Sequence, residues 1–304
     1  MSEVRVVQIA LLGEAQVSVT EGPARRVGGP RVRMLLALLA LEPGRPVRCE
    51  SLIDTIWGDD PPADPANALQ TLVKRLRAVL PHGVAVEFVA VAYRLAIDAD
   101  DIDIHRFVRL AGEGHELLAA GAASPAARTL DAALGLWRGA AFADLTDVPE
   151  LCWHADRWNE LRLDAIETRA DAYLSLGRGP ELAASLEREL RLQPLRESLA
   201  ARAIRVLAAG GRQGRARVVF ESTRHLLRAE LGVSPSPELA RARDELDWLP
   251  EYSDSRLAVR RTGSIERVRD LPGIAALPDS ALPAQCQGLG GQCPRWSFRP
   301  FESE

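Results

Sequence analysis

Six polar side chains, Asn67, Gln70, Thr71, Lys74, Arg75 and Arg77, fall within eleven consecutive positions of this 304-residue chain. Their types match what duplex DNA displays. Asn and Gln pair with an adenine edge through one donor and one acceptor, Lys and Arg reach guanine acceptors or phosphate oxygens, and a Thr hydroxyl serves either. Residues 67–80 hold three cations and no acid. These side chains need an element to aim them. Asp64-Pro65 is an N-cap carboxylate followed by a proline at the first helical position, so a helix is predicted over residues 64–80. At about 100° per residue, Leu69, Leu72, Val73, Leu76 and Leu80 share one face, which is predicted to be buried. The six polar residues occupy the rest. A solvated amphipathic helix that binds nothing has the same pattern, so the surrounding chain decides between the two readings.

Other chemistry has little support. The five histidines, His82, His105, His115, His154 and His225, are widely spaced and form no HExxH or HxxxH pattern, so no metal site is expected. Cys49, Cys152, Cys286 and Cys293 form no CxxC pair and no disulfide framework, which fits a reducing compartment. No GxxxxGK[ST] phosphate loop occurs, and Gly288-Leu-Gly-Gly291 lacks the lysine such a loop needs and reads as a turn. Acidic residues are plentiful but converge on no recognisable pocket, so neither an enzyme nor a cofactor is expected.

Composition narrows the choice further. Hydrophobic content of 47% and charged content of 26% describe an ordinary globular protein, long enough for about two domains and a tail. The net charge of −4 excludes a broadly basic binder, so any affinity for DNA must come from a local patch. Lys74 is the only lysine among 38 basic residues, so arginine counts elsewhere carry no functional weight. No signal-type or membrane-spanning run is present, and a soluble cytoplasmic protein is expected, nucleoid-associated when bound to DNA.

Residues 4–28 alternate in short stretches and are predicted to form antiparallel strands. Pro30 opens an apolar helix ending near Leu41, Arg45 to Arg48 is a short extended link, and Glu50 to Trp57 is a second helix ended by Gly58. The segments Val84 to Ala90 and Tyr93 to Ile97 have hairpin character. Strands, three helices with a cationic third, and a hairpin make a winged helix-turn-helix, in which the third helix enters the major groove and the hairpin leans on the adjacent backbone.

Four separated motifs support a family resemblance. They are Gly28-Gly-Pro-Arg31 with its Leu-rich continuation, Pro43-Gly-Arg-Pro-Val47, Leu52-Ile-Asp-x-Ile-Trp57-Gly-Asp-Asp-Pro-Pro62 and Asn67-Ala-Leu-Gln-x-x-Val-x-Arg-Leu-Arg77. With these, the chain resembles the actinobacterial antibiotic regulatory proteins, SARP-type transcriptional activators with an OmpR/PhoB-like DNA-binding domain. The resemblance implies that residues 64–80 are the recognition helix and that Asn67, Gln70, Thr71, Lys74, Arg75 and Arg77 face DNA. The wing departs from the family pattern. An Arg and a Pro-Gly usually precede the wing tyrosine, whereas this chain reads Glu87-Phe-Val-Ala-Val-Ala-Tyr93. Loss of a cation and a repulsive Glu87 would weaken the hold on DNA.

From Asp101 onward the pattern is all-helical. Helices are predicted to about Ala120, from Ser124 with Ala126, Ala127, Leu130, Ala133, Leu134 and Trp137 at helical spacing, over Glu150 to Leu176, Pro180 to Gln193, Glu197 to Ala209, Gln213 to Leu231, and Pro237 to Leu249. Trp57 and Trp137 are predicted to be core. Stacked helical hairpins of this kind resemble tetratricopeptide repeats. Asp101-x-Asp-x-His-x-Phe107, Trp137-Arg-Gly, Pro194-Leu-Arg-Glu197 and Glu230-Leu-Gly-Val-Ser-Pro resemble the bacterial transcriptional activator domain that follows the DNA-binding domain in this family.

The expected architecture is mainly α with small β. A winged helix-turn-helix spans 1–98, an all-α TPR-like domain 99–249 and a disordered tail 250–304. By resemblance, the chain is expected to activate a biosynthetic, secondary-metabolite gene cluster. It would bind promoter direct repeats near the −35 region, contact RNA polymerase holoenzyme and form a homodimer. Two alternatives stay open: a protein-interaction scaffold with weakened DNA binding, and a truncated regulator lacking the nucleotide-binding ATPase of larger members.

Overall fold

The computed structural model describes residues 9–18, 24–81, 83–145 and 148–248. The tail expected over 250–304, with Cys286, Cys293 and Gly288 to Gly291, lies outside the described residues, as do 4–8 and 19–23 of the segment predicted to form strands.

Three short antiparallel strands, β1 (Ile9–Ala10), β2 (Gln16–Val17) and β3 (Arg25–Arg26), lead into helix α1 (Pro30–Leu41). α1 buries Val32, Leu35, Leu36, Ala37, Leu39 and Ala40, more than one stripe, because it passes through the middle of the domain. β4 (Val47–Arg48), α2 (Cys49–Trp57) and α3 (Pro65–Arg77) follow. α2 stops at Gly58, whose φ of 54° suits glycine and whose N–H donates to the Asp54 carbonyl at 2.8 Å. β5 (Ala85–Val89) and β6 (Ala92–Ala96) form the hairpin, with β4 paired on the other edge of β6. α3 packs on α1 and α2, as a helix-turn-helix requires.

The second half is helical: α4 (Asp103–Ala119), α5 (Ala123–Leu134), α6 (Pro149–Ser175), α7 (Ala183–Leu192), α8 (Glu197–Ala209), α9 (Gln213–Leu226) and α10 (Pro237–Trp248). Two predicted helices are interrupted. Gly179–Leu182 is a 3-10 turn before α7, and Leu227–Leu231 is a π turn after α9. α5 ends at Leu134, with Gly135 following, so Trp137 is not on a helix face as its spacing suggested. It sits in the next turn, partly buried and edge-on to Phe107, with ring centroids 5.3 Å apart. Small residues allow close helix approach. At Gly114 of α4, an added Cβ would lie 2.6 Å from Leu130 Cγ of α5. α8 buries Leu199, Ala200, Ala201, Ala203, Ile204, Val206 and Leu207 and is wrapped by α6, α7, α9 and α10. Along its border, Arg196 reaches Glu160, Asp164 and Glu167, each at 2.6 Å, and Arg202 reaches Asp171 and Glu238 at 3.0 and 2.9 Å.

One apolar core runs from Ile9 and the α1 leucines through Ile104, Phe107 and Phe142 to Trp158, so it belongs to both halves. Asp103 fastens the junction. It is 1% exposed in the first turn of α4, and its carboxylate accepts the Leu11 N–H at 2.8 Å and the Leu12 N–H at 2.9 Å. Arg138 lies 3.6 Å away and donates its own backbone N–H to the Leu12 carbonyl at 2.9 Å. Burial pushes the Asp103 carboxyl up to about 6, against the lowering effect of those N–H groups and of Arg138. No described helix is long and apolar enough to cross a membrane.

Candidate nucleic-acid interface

α3 starts as its first two residues dictate. The Asp64 carboxylate accepts the Asn67 N–H at 3.0 Å, and Pro65 occupies the first turn, where its missing N–H has no helical partner to lose. Leu69, Leu72, Val73 and Leu76 are buried, and Leu80, just beyond the helix, is half-buried. The buried stripe fixes how the helix is turned about its axis. Asn67, Gln70, Thr71, Lys74, Arg75 and Arg77 are all exposed on the remaining surface. Lys74, Arg75 and Arg77 fall in the last turn, where cations also complement the helix dipole.

The six side chains are engaged differently. The Thr71 hydroxyl donates to the Asn67 carbonyl at 3.0 Å, which orients its methyl and oxygen along the helix. Arg77 turns sideways, and its Nε and Nη2 donate to the Val86 carbonyl of β5 at 3.0 and 2.6 Å, joining the wing to α3. Arg75 borders a cleft of about 420 Å3 with Thr71, Leu72, Trp57 and Arg31. Asn67, Gln70 and Lys74 project from the surface between these two flanks, since their positions fall between Arg75 and Arg77 on a 100° wheel.

The wing corrects one expectation. Glu87 does not stand as a lone repulsive charge, because it lies opposite Arg94 in the β5/β6 register and the two form an ion pair at 2.7 Å. Arg94 therefore neutralises Glu87 within the hairpin. The wing tip is apolar: Phe88 packs on Tyr93 with centroids 5.1 Å apart yet remains 59% exposed, and Val91 is 73% exposed. Ala90 and Val91 carry φ of 45° and 62°, a two-residue hairpin turn made without glycine.

Arg31 closes the Gly28-Gly-Pro-Arg31 motif, whose spacing alone gives it no role. Its guanidinium lies 5.8 Å from the Trp57 ring centroid, beside the N-terminus of α1. The signal was a cation directly after Gly-Gly-Pro at a helix start. Trp57 itself is half-buried and packs against the core. Among the described residues, no group of three or more His, Cys, Asp or Glu side chains could hold a metal ion.

Comparison with known proteins accounts for both halves. Residues 27–92 match the model "Transcriptional regulatory protein, C terminal", and residues 102–247 match "Bacterial transcriptional activator domain". The transcriptional regulator RedD of Streptomyces coelicolor is 34% identical over 248 residues, covering 79% of this chain and 70% of that protein. The regulatory protein AfsR of Streptomyces griseus is 36% identical over 213 residues, covering 70% of this chain but 22% of AfsR. The chain thus spans about a quarter or less of the length of its AfsR relatives. The solved structure of Mycobacterium tuberculosis EmbR in complex with a low-affinity phosphopeptide superposes with a TM-score of 0.72 at 29% identity, covering 79% of this chain and 64% of that one. The architecture is that of a winged-helix domain followed by a helical activator domain. The chain belongs to the SARP family of transcriptional regulators.

Proposed function

We propose that this chain is a sequence-specific DNA-binding activator of a biosynthetic, secondary-metabolite gene cluster. α3 is its recognition helix, carried on a domain spanning 1–98 and followed by a partner-binding domain spanning 99–249. The observation that carries this reading is the exposed face of α3. It gathers two amides, a hydroxyl and three cations with no acid, and its buried stripe holds it rigidly beside a hairpin. Asn67 and Gln70 read base edges, Thr71, Lys74 and Arg75 contact phosphates or guanine, and Arg77 positions the wing while its charge faces the backbone. Family resemblance supports the remainder: promoter direct repeats near the −35 region, side-by-side protomers, contact with RNA polymerase holoenzyme through the helical domain, and action in the cytoplasm. Footprinting the region upstream of neighbouring genes tests the reading. Two protected segments one helical turn apart are the expected result, and uniform or absent protection would overturn it.

A protein-interaction scaffold with weakened DNA binding is favoured by one observation, the apolar tip at Phe88 and Val91, where a phosphate-seeking wing would place cations. Such a scaffold would show only weak, sequence-independent affinity for the same DNA.

A further inference from the structure

Where the two domains meet, a cleft of about 530 Å3 opens between α1 and α2 on one side and α4 and α6 on the other. None of the DNA-facing residues of α3 lines it. Much of its wall is apolar, with Leu41, Leu52, Val108 and Leu161 contributing. One part is aromatic. The His154 ring stacks on Trp158 at 5.6 Å with an interplanar angle of 26°, and Trp153 meets His154 edge-on at 4.9 Å. Trp153 is 62% exposed on α6, a large apolar ring left in solvent at the margin of this stack. Burial, and then the Arg157 guanidinium, lower the His154 pKa, and Glu42 opposes them.

Arg157 also lines the cleft, is exposed, and makes no ion pair among the described residues. Other arginines packed around α6 differ: Arg162 binds Glu189 at 2.9 Å, and Arg196 binds three carboxylates. Glu42 and Glu150 border the same space, and Glu42 is 3.6 Å from Arg45. Two carboxylates lining the same cleft as the one guanidinium disfavour a multiply charged anion such as a nucleotide polyphosphate. The volume is that of a small-molecule pocket, where apolar walls give affinity and a few polar groups fix orientation.

We propose that this cleft binds a planar, ring-containing monoanion, a hydrophobic carboxylate whose ring lies against the Trp158–His154 stack and whose charge is met by Arg157. The walls come from both domains, so an occupant ties α2, which packs beneath the recognition helix, to α6 of the activator domain. Occupancy would then bias the junction that carries the DNA-facing surface.

Isothermal titration of the full chain with 2-naphthoate and with the neutral 2-naphthylmethanol tests the site. Saturable one-site binding is expected, with the carboxylate at least about tenfold tighter than the alcohol. Arg157→Gln should abolish that preference and leave the affinity for the alcohol unchanged. Ser51→Trp, at an exposed position lining the cleft, should weaken both probes by at least about tenfold with Tm unchanged. Absence of saturable binding up to millimolar concentration would overturn the proposal, as would a carboxylate preference that survives Arg157→Gln or an affinity that survives Ser51→Trp. No DNA is present in the titration, so its outcome is separate from that of the DNA-binding reading.

Discussion

Arg75 and Arg77 are two residues apart on α3 and have different surroundings. Arg77 is bound to the Val86 carbonyl of the wing, whereas Arg75 and Lys74 make no ion pair among the described residues. Substitutions should separate them. Lys74→Ala and Arg75→Ala are each expected to lower the slope of log K against log salt by about 0.9, with little loss of stability. Arg77→Ala should instead speed amide exchange in Ala85–Val89 and lower the stability by about 1 kcal/mol, because the Val86 carbonyl loses its donor. No effect of Arg77→Ala on exchange in Ala85–Val89 or on stability would contradict the distinction. Gln70→Ala is expected to cost about 1–3 kcal/mol on the preferred site and much less on unrelated DNA, measured by competition binding. The types and face of these residues were legible in the sequence because a cap, a proline and a leucine stripe are local signals. The Arg77 bond was not, since it depends on where a hairpin nine residues later comes to lie.

At the scale of elements, long-range pairing is what local patterns miss. Glu87 read as a repulsive charge because the β5/β6 register sets it against Arg94 only once the turn at Ala90-Val91 is made. Trp137 read as helical because the apolar spacing continued past Gly135, where α5 in fact stops. Asp103 was visible within a motif, yet its partners Leu11 and Leu12 lie about ninety residues away in sequence. Its titration has a definite sign. The folded carboxyl, at about 6, lies above its unfolded value near 4, so the native state takes up the proton first, and stability rises as pH falls from about 7 to about 4. Relative to Asp103→Asn, the wild type should gain up to about 3 kcal/mol over that window in urea denaturation. A flat difference between the two proteins would show a carboxyl titrating near its ordinary value. The helix contact at Gly114 is equally specific. Gly114→Ala should destabilise by about 1–3 kcal/mol despite its higher helix propensity, because its Cβ would meet Leu130.

Across the whole molecule, the change to an all-helical pattern after residue 100 was legible in the sequence, and the core shared across it was not. Periodicity reports which face of an element is buried, not what buries it, so Ile9, Phe107 and Trp158 gave no sign of belonging together. One consequence is that a fragment ending at residue 98 loses the Asp103 acceptors and part of its core. It should unfold at a Tm at least about 5 °C below that of the intact chain. An unchanged Tm would mean that the junction adds nothing. Charge is arranged on the same scale. The chain carries −4 overall, while residues 67–80 hold three cations and no acid, so affinity for DNA is expected to be unusually sensitive to this helix. Fluorescence anisotropy with footprinted promoter DNA and a scrambled duplex, across a range of salt, tests this most directly. Wild type is expected to prefer the promoter by at least about a thousandfold, and Lys74→Ala combined with Arg75→Ala should cut the salt slope by about 1.8. Equal affinity for both duplexes, or a slope untouched by the double substitution, would contradict α3 as the reading element.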